Sequence, residues 1–260
     1  MSFDWAGFNK ALIPIKSYQD LCQRWHTSYS FPFVLQAYNF TMPELTDYTR
    51  RMLGGDARQR YIAYEASLTR TILSLHQAGV QGTLDLLARI DPPDRLEHLA
   101  EENGILADDL AAVLKYLTYW VIPMEKYLSA LVRNAPEIEE AVKILHRMGI
   151  RSNLDLLQQG ITAAERQTLA KTSGLPEPVI CELVNRADFS RMPWASKATI
   201  SNIIGAGYGS LAALANADAE QLYADFFRYG KSIGKNLKLG NEIENSYRIA
   251  RIVPVLIHED

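Results

Sequence analysis

The sequence predicts an all-α fold built around an internal repeat and entered through an aromatic-rich N-terminal segment. Three observations predict it. Sliding the chain by seventy residues lays Leu75-His76-Gln77-Ala78-Gly79 on Leu145-His146-Arg147-Met148-Gly149, and Leu84-Asp85-Leu86-Leu87 on Leu154-Asp155-Leu156-Leu157. Without a gap, Leu99-Ala100, Gly104 and Pro123 then fall on Leu169-Ala170, Gly174 and Pro193. A period this long marks a repeated supersecondary unit whose copies stack to share a core. Second, Ile138, Ala141, Val142, Ile144, Leu145 and Met148 recur at three- and four-residue steps, the pattern of one buried helical stripe. Third, runs of strict two-residue alternation are nearly absent, so no substantial sheet is expected.

The first seventy residues do not repeat. Phe3, Trp5, Phe8, Tyr18, Trp25, Tyr29, Phe31, Phe33, Tyr38, Phe40 and Tyr48 crowd this stretch, and Pro14, Pro32 and Pro43 break it into short pieces. It is expected to cap an open end of the repeats, or to hold a pocket or a partner surface. Ser17 is placed to cap a helix, and Thr41-Met-Pro-Glu44 reads as a capping box with proline inside the first turn. A helix starting near Asp56, itself a cap candidate, runs through Tyr61, Tyr64, Leu68, Ile72 and Leu75 and stops at Gly79, as glycine stops a helix where the chain turns left-handed.

Each copy then reads as a short Leu-Asp-Leu-Leu helix, a longer helix around Leu99-Ala100 or Leu169-Ala170, a helix leading to Pro123 or Pro193, and another leaving it. Thr162-Ala-Ala-Glu165 is a second capping box, and Ser196 and Asp218 cap later helices. A partial third copy follows, since Ala206-Gly207-Tyr208-Gly209-Ser210-Leu211 echoes Ala78 to Leu84 with one residue fewer. His76 and His146 sit in last turns, where a cation complements the helix dipole, so their expected role is structural. Asp85 and Asp155 are expected to cap or to face solvent. The domains expected are an aromatic arm over 1–56, a degenerate repeat over 57–135, and a final domain over 136–260.

The totals exclude several classes. A chain of 260 residues with 48% apolar and 22% charged residues is long enough to bury a core and is not disordered in composition. Its longest apolar runs, such as Ile252 to Ile257, are far too short for a membrane span, and Met1-Ser-Phe-Asp-Trp5 does not look like an export leader. Cys22 and Cys181 lack metal-ligand spacing, so reduced thiols and a cytoplasmic location are expected. Cys22 and His26 share a helical face, but two ligands do not make a zinc site. No phosphate-binding Gly-rich loop, dinucleotide fingerprint, nucleophile elbow or His-Glu-x-x-His is present, so no catalytic residue, metal or cofactor is expected. Net charge is −3 overall, divided as −5 over residues 1–140 and +2 over 141–260. Lys231, Lys235, Lys238, Arg248 and Arg251 therefore mark a candidate basic surface.

Leu183-Val-Asn-Arg-Ala-Asp-Phe-Ser-Arg-Met-Pro193, followed by Gly205-Ala-Gly-Tyr-Gly-Ser-Leu-Ala-Ala-Leu214, resembles the domain of unknown function 4332, a relative of helix-hairpin-helix domains. Gly149-Ile150 with Arg166 and Leu169 to Gly174 resembles the start of that domain, and Lys235 to Lys238 with Ile243 to Pro254 its end, covering roughly 140–257. The resemblance implies tandem helix-hairpin-helix-like repeats, with a degenerate second copy at about 70–135. Helix-hairpin-helix units are known for non-specific DNA binding, in which a Gly-x-Gly hairpin offers backbone amides to a phosphate. Here the hairpins are Pro193-Trp194-Ala195-Ser196 and Pro123-Met124-Glu125-Lys126, neither with glycine, which disfavours nucleic acid at those tips.

The function expected is thus a non-catalytic interaction or scaffold module that binds another protein or itself. Trp194, Arg191 and Arg186 are the candidate contact residues, because Trp and Arg dominate interface hot spots. The alternatives are non-specific nucleic-acid binding through the basic C-terminal residues, and a small-molecule pocket or enzyme site at the N-terminal arm.

Overall fold

The computed structural model describes residues 3–54, 59–193, 195–237 and 242–257, without the side chains of 242–245. Among these residues sixteen α-helices form and no strand does. Two isolated antiparallel bridges join Thr41 to Gly82 and Tyr127 to Ser152. None of the described helices is long and apolar enough to cross a membrane. The chain divides into two compact units, Met1–Met124 and Glu125–Asp260.

The first unit holds α1 (Trp5–Leu12), α2 (Tyr18–Tyr29), α3 (Pro32–Tyr38), α4 (Met42–Leu53), α5 (Gln59–Gln77), α6 (Thr83–Ile90), α7 (Pro93–Asn103) and α8 (Ala107–Tyr116). α8 continues into a π-helical turn over Leu117–Val121. The aromatic N-terminal segment packs directly on the helices that follow it: α1 lies against α8, α4 against α5, and α2 against α6. Its aromatics form the core, because a large ring removes more apolar surface from water than any other side chain. Trp25, fully buried, donates its indole Nε1–H to Thr118 Oγ1 at 2.9 Å. The rings of Trp5, Phe8 and Tyr18 meet edge-on at centroid distances of 5.5 to 5.7 Å. The prolines break the segment as expected, with Pro32 and Pro43 each inside a first helical turn.

The second unit holds α9 (Pro136–Arg147), α10 (Asn153–Gln158), α11 (Ala163–Ser173), α12 (Glu177–Phe189), α13 (Lys197–Gly205), α14 (Leu211–Ala215), α15 (Ala219–Ser232) and α16 (Glu242–Ala250). Its core lies between α12 and its neighbours α10, α11 and α14, filled by Leu154, Leu157, Ile180, Leu183, Val184 and Leu214.

Local geometry recurs between the units at a seventy-residue shift. α6, α7 and α8 start at Thr83, Pro93 and Ala107, and α10, α11 and α12 at Asn153, Ala163 and Glu177. Gly79 and Gly149 have φ of 83° and 90°, and Gly104 and Gly174 have 62° and 72°. Past the first pair, Val80 N–H donates to the Leu75 carbonyl and Ile150 N–H to the Leu145 carbonyl, both at 3.0 Å. This six-residue closure satisfies a carbonyl that the helix end would otherwise leave unbonded. The Asp85 carboxylate accepts from Gln81 N–H at 2.8 Å, and the Asp155 carboxylate from Arg151 N–H at 3.0 Å. Both aspartates therefore cap. Gly207, with φ of 103°, is followed by the same closure from Tyr208 N–H to the Ile203 carbonyl at 3.2 Å.

The other local signals are met where they are described. Thr41–Glu44 and Thr162–Glu165 are reciprocal capping boxes, and Ser17, Ser196 and Asp218 accept from first-turn amides. Asp56 lies outside the described residues. His76 and His146 stand exposed in their last turns. One expectation is corrected: no full helix leaves Pro123, only a 3-10 turn over Leu128–Ala130. The backbone there is committed elsewhere, because Leu128 N–H donates to the Arg151 carbonyl at 3.0 Å, and Asn153 N–H to the Lys126 carbonyl at 2.9 Å. A residue in this bridge cannot also join a helical ladder.

Candidate functional site

Arg186 and Arg191 are held inside the second unit. Arg186 is 4% exposed. Its guanidinium bonds Glu182 Oε1 at 2.9 and 2.7 Å through Nε and one terminal nitrogen, and the other terminal nitrogen donates to the Leu131 carbonyl at 3.2 Å and Ser201 Oγ at 3.3 Å. Arg191 is 6% exposed, pairs with Asp188, and donates to the Pro254 carbonyl at 2.9 Å. Buried guanidinium groups need such partners, because stripping their water without replacement costs several kcal/mol. Arg186 ties α12 to α13 and to the Leu131 carbonyl, Arg191 ties the end of α12 to the segment beyond α16, and little of either is presented to solvent. Trp194, the third contact candidate, lies outside the described residues.

The basic candidates do not share one environment. Lys231 is exposed, with its ammonium 4.3 Å from the centroid of the Phe227 ring. Arg251 donates to the Ala215 carbonyl at 2.7 Å and lies 4.1 Å from the Tyr247 ring centroid. Arg248 is half-buried on α16, and Lys238 lies outside the described residues. Lys235 is different, because it lines a cleft.

That cleft, of about 480 Å³, lies wholly within the second unit. Arg133, Asn134 and Ala135 contribute from the entry to α9, Ser201 and Asn202 from α13, Tyr229 from α15, and Lys235 from the turn beyond it. Arg186 stands in its wall. Among the described residues lining it there is no carboxylate; Glu182 enters only as the partner of Arg186. Arg133 and Lys235 line the cleft and are exposed, and no acidic residue accompanies them among the described lining. Ile204, Ile233 and the Tyr229 ring supply apolar surface. Lys235 is positioned by Gly234, whose φ of 66° turns the chain, and by its own N–H donating to the Gly230 carbonyl at 2.8 Å. A methyl group on Gly230 would lie 2.8 Å from the Lys235 carbonyl oxygen, so the turn closes only over glycine. Arg133, Ser201, Asn202 and Tyr229 carry no sequence motif; they share a cleft only because α13 packs on α15 and the segment entering α9 borders them.

A second cleft, of about 450 Å³, lies in the first unit and is lined by Trp5, Asn9, Lys16, Ser17, Tyr18 and Pro93 among others. Its polar ends are largely committed. The Tyr18 hydroxyl donates to the Ile90 carbonyl, the Trp5 indole to Glu97, and Ser17 caps α2. Burial pushes the Tyr18 hydroxyl far above its ordinary range and the Cys22 thiol up to about 11, so neither is poised to react near neutrality.

The outer face of α5 is the other feature of note. Leu68, Ile72 and Leu75 are buried, whereas Ile62 and Leu73 are 55% and 52% exposed. Ala66 and Thr69 complete the outer line at steps of four, three and four residues, the spacing that keeps one helical face aligned. This spacing is the signal that could have found the line, which the stripe expected through Tyr61, Tyr64, Leu68, Ile72 and Leu75 does not include.

Among the described residues no group of three His, Cys, Asp or Glu is arranged to hold a metal, and Cys22 and Cys181 are free thiols. His26 turns to Asp91 at 2.7 Å.

These helices and clefts define an all-α protein. Within it, residues 137–243 match the family described as Domain of unknown function (DUF4332). The matched stretch begins after residues 70–135. No curated protein and no solved structure matches the chain.

Proposed function

We propose that the chain is a non-catalytic helical scaffold, made of two copies of one helix-hairpin-helix-like unit, which binds another protein or a second copy of itself. The observation that carries the reading is the exposure of Ile62, Ala66 and Leu73 along one face of α5. Soluble helices turn such a line inward, and an uncovered one at this spacing suits a facing helix. Leu73 and Ile62 are each about half exposed, so covering them contributes on the order of 1 kcal/mol apiece. A stable interface needs roughly 800 Å² per partner, so α5 would be its centre and not its whole extent. The duplication is supported by the glycines, helix starts and aspartate caps that recur seventy residues apart. Two free thiols in a chain of this size suit a reducing compartment, in keeping with a cytoplasmic location.

Light scattering on the eluting protein, run with Ile62→Glu/Leu73→Glu beside the wild type, tests this. The expected result is a complex of defined mass, homomeric or with one co-purifying partner, that the double variant loses without losing helicity. A wild type that stays monomeric and brings down no stoichiometric partner from its native cell contradicts it.

A further inference from the structure

The basic cleft of the second unit is not used by that reading, and its chemistry is specific. Arg133 and Lys235 bring two cations to one concavity from stretches far apart in sequence, and no carboxylate among the described lining residues offsets them. Asn134, Ser201 and Asn202 add uncharged donors. Arg186 contributes less than a free cation, because Glu182 already pairs with it; its part is to hold Ser201 in the wall. The rest of the lining is apolar and aromatic, from Ile204, Tyr229 and Ile233. Tyr229 is seated against α13 at Gly205, where a Cβ would come within 2.2 Å of its ring. The volume, about 480 Å³, falls within the range of small-ligand sites and is larger than a bare inorganic ion requires.

A lining that combines two cations with an aromatic ring and apolar side chains suits a ligand that carries both an anionic group and an apolar body. We propose that this cleft binds a small phosphate-bearing molecule with a planar or apolar body, of the nucleotide kind. Arg133 and Lys235 meet the phosphate, Ser201 and Asn202 bond it or the adjoining sugar, and Tyr229 flanks the body. Arginine suits this role because its fork meets two phosphate oxygens at once, while lysine acts as a point charge beside it. No covalent step is involved.

Calorimetric titration of the full chain at low salt (about 50 mM, where exposed charges are weakly screened) tests the inference, with ADP, adenosine, inorganic phosphate and a short single-stranded oligonucleotide as separate probes. ADP is expected to bind with a dissociation constant of roughly 10–100 µM, and adenosine at least about tenfold more weakly, because it lacks the charge. Arg133→Glu/Lys235→Glu should weaken ADP by about tenfold or more and leave the melting temperature unchanged, since both side chains are exposed. Gly205→Ala, which displaces the Tyr229 ring, should weaken ADP more than inorganic phosphate. Absence of ADP binding overturns the proposal, as does ADP binding that survives the double charge reversal. Tight oligonucleotide binding without ADP binding also overturns it, by assigning the basic residues to nucleic acid instead.

Discussion

At the scale of single residues, the second unit places polar groups where only a complete set of partners makes burial tolerable. Asn153, fully buried, accepts from Lys126 N–H at 2.7 Å through its carbonyl oxygen and donates to Ser190 Oγ at 2.9 Å. The Lys126 ammonium reaches the Ser190 carbonyl at 2.6 Å. Burial pushes its amine from the ordinary 10.5 down to about 8. The unfolded chain therefore holds this proton to higher pH than the folded one, and this group makes stability rise as pH climbs from about 8 to 10.5. Cys22, whose thiol is pushed up to about 11, acts in the opposite sense. The difference between wild type and Lys126→Met isolates the lysine. Urea unfolding across that pH window should show the variant losing the rise. Parallel stability curves for the two proteins would mean that the amine is not held away from water. None of this was legible in sequence, nor was the burial of Arg186 and Arg191. Charged residues near Pro193 read as surface, whereas the carbonyl that Arg186 meets belongs to Leu131, 55 positions earlier.

At the scale of elements, legibility was high because the signals are local. A capping box closes within four residues, and a glycine stop depends only on its own φ and the preceding turn. Thr41–Glu44, Thr162–Glu165, Gly79 and Gly149 were readable for that reason. The exit from Pro123 was not, since what prevents a helix there is pairing with Arg151 to Asn153. Gly149 offers a clean test of the local argument. Its φ is 90°, and a Cβ there would meet nothing within 4 Å, so alanine changes only backbone strain. Gly149→Ala should cost about 1–2 kcal/mol, read as a lower urea midpoint with an unchanged slope. An unaltered midpoint would show that the helix ends without the left-handed residue.

At the scale of the whole molecule, composition and periodicity sufficed for an all-α protein with no membrane-spanning helix among its described residues. They could not locate the basic cleft, whose lining is drawn from three helices and two connecting segments. The account of function rests on an apolar line on α5 that the chain leaves exposed. Cysteine cross-linking tests it most directly. In a Cys181→Ser background, Leu73→Cys treated with a bismaleimide in native cell extract should give one product of discrete higher mass. Leu106→Cys, more exposed than Leu73 but not on α5, should give none. No discrete product from Leu73→Cys, or the same yield from both positions, would contradict the claim that α5 is where this protein meets its partner.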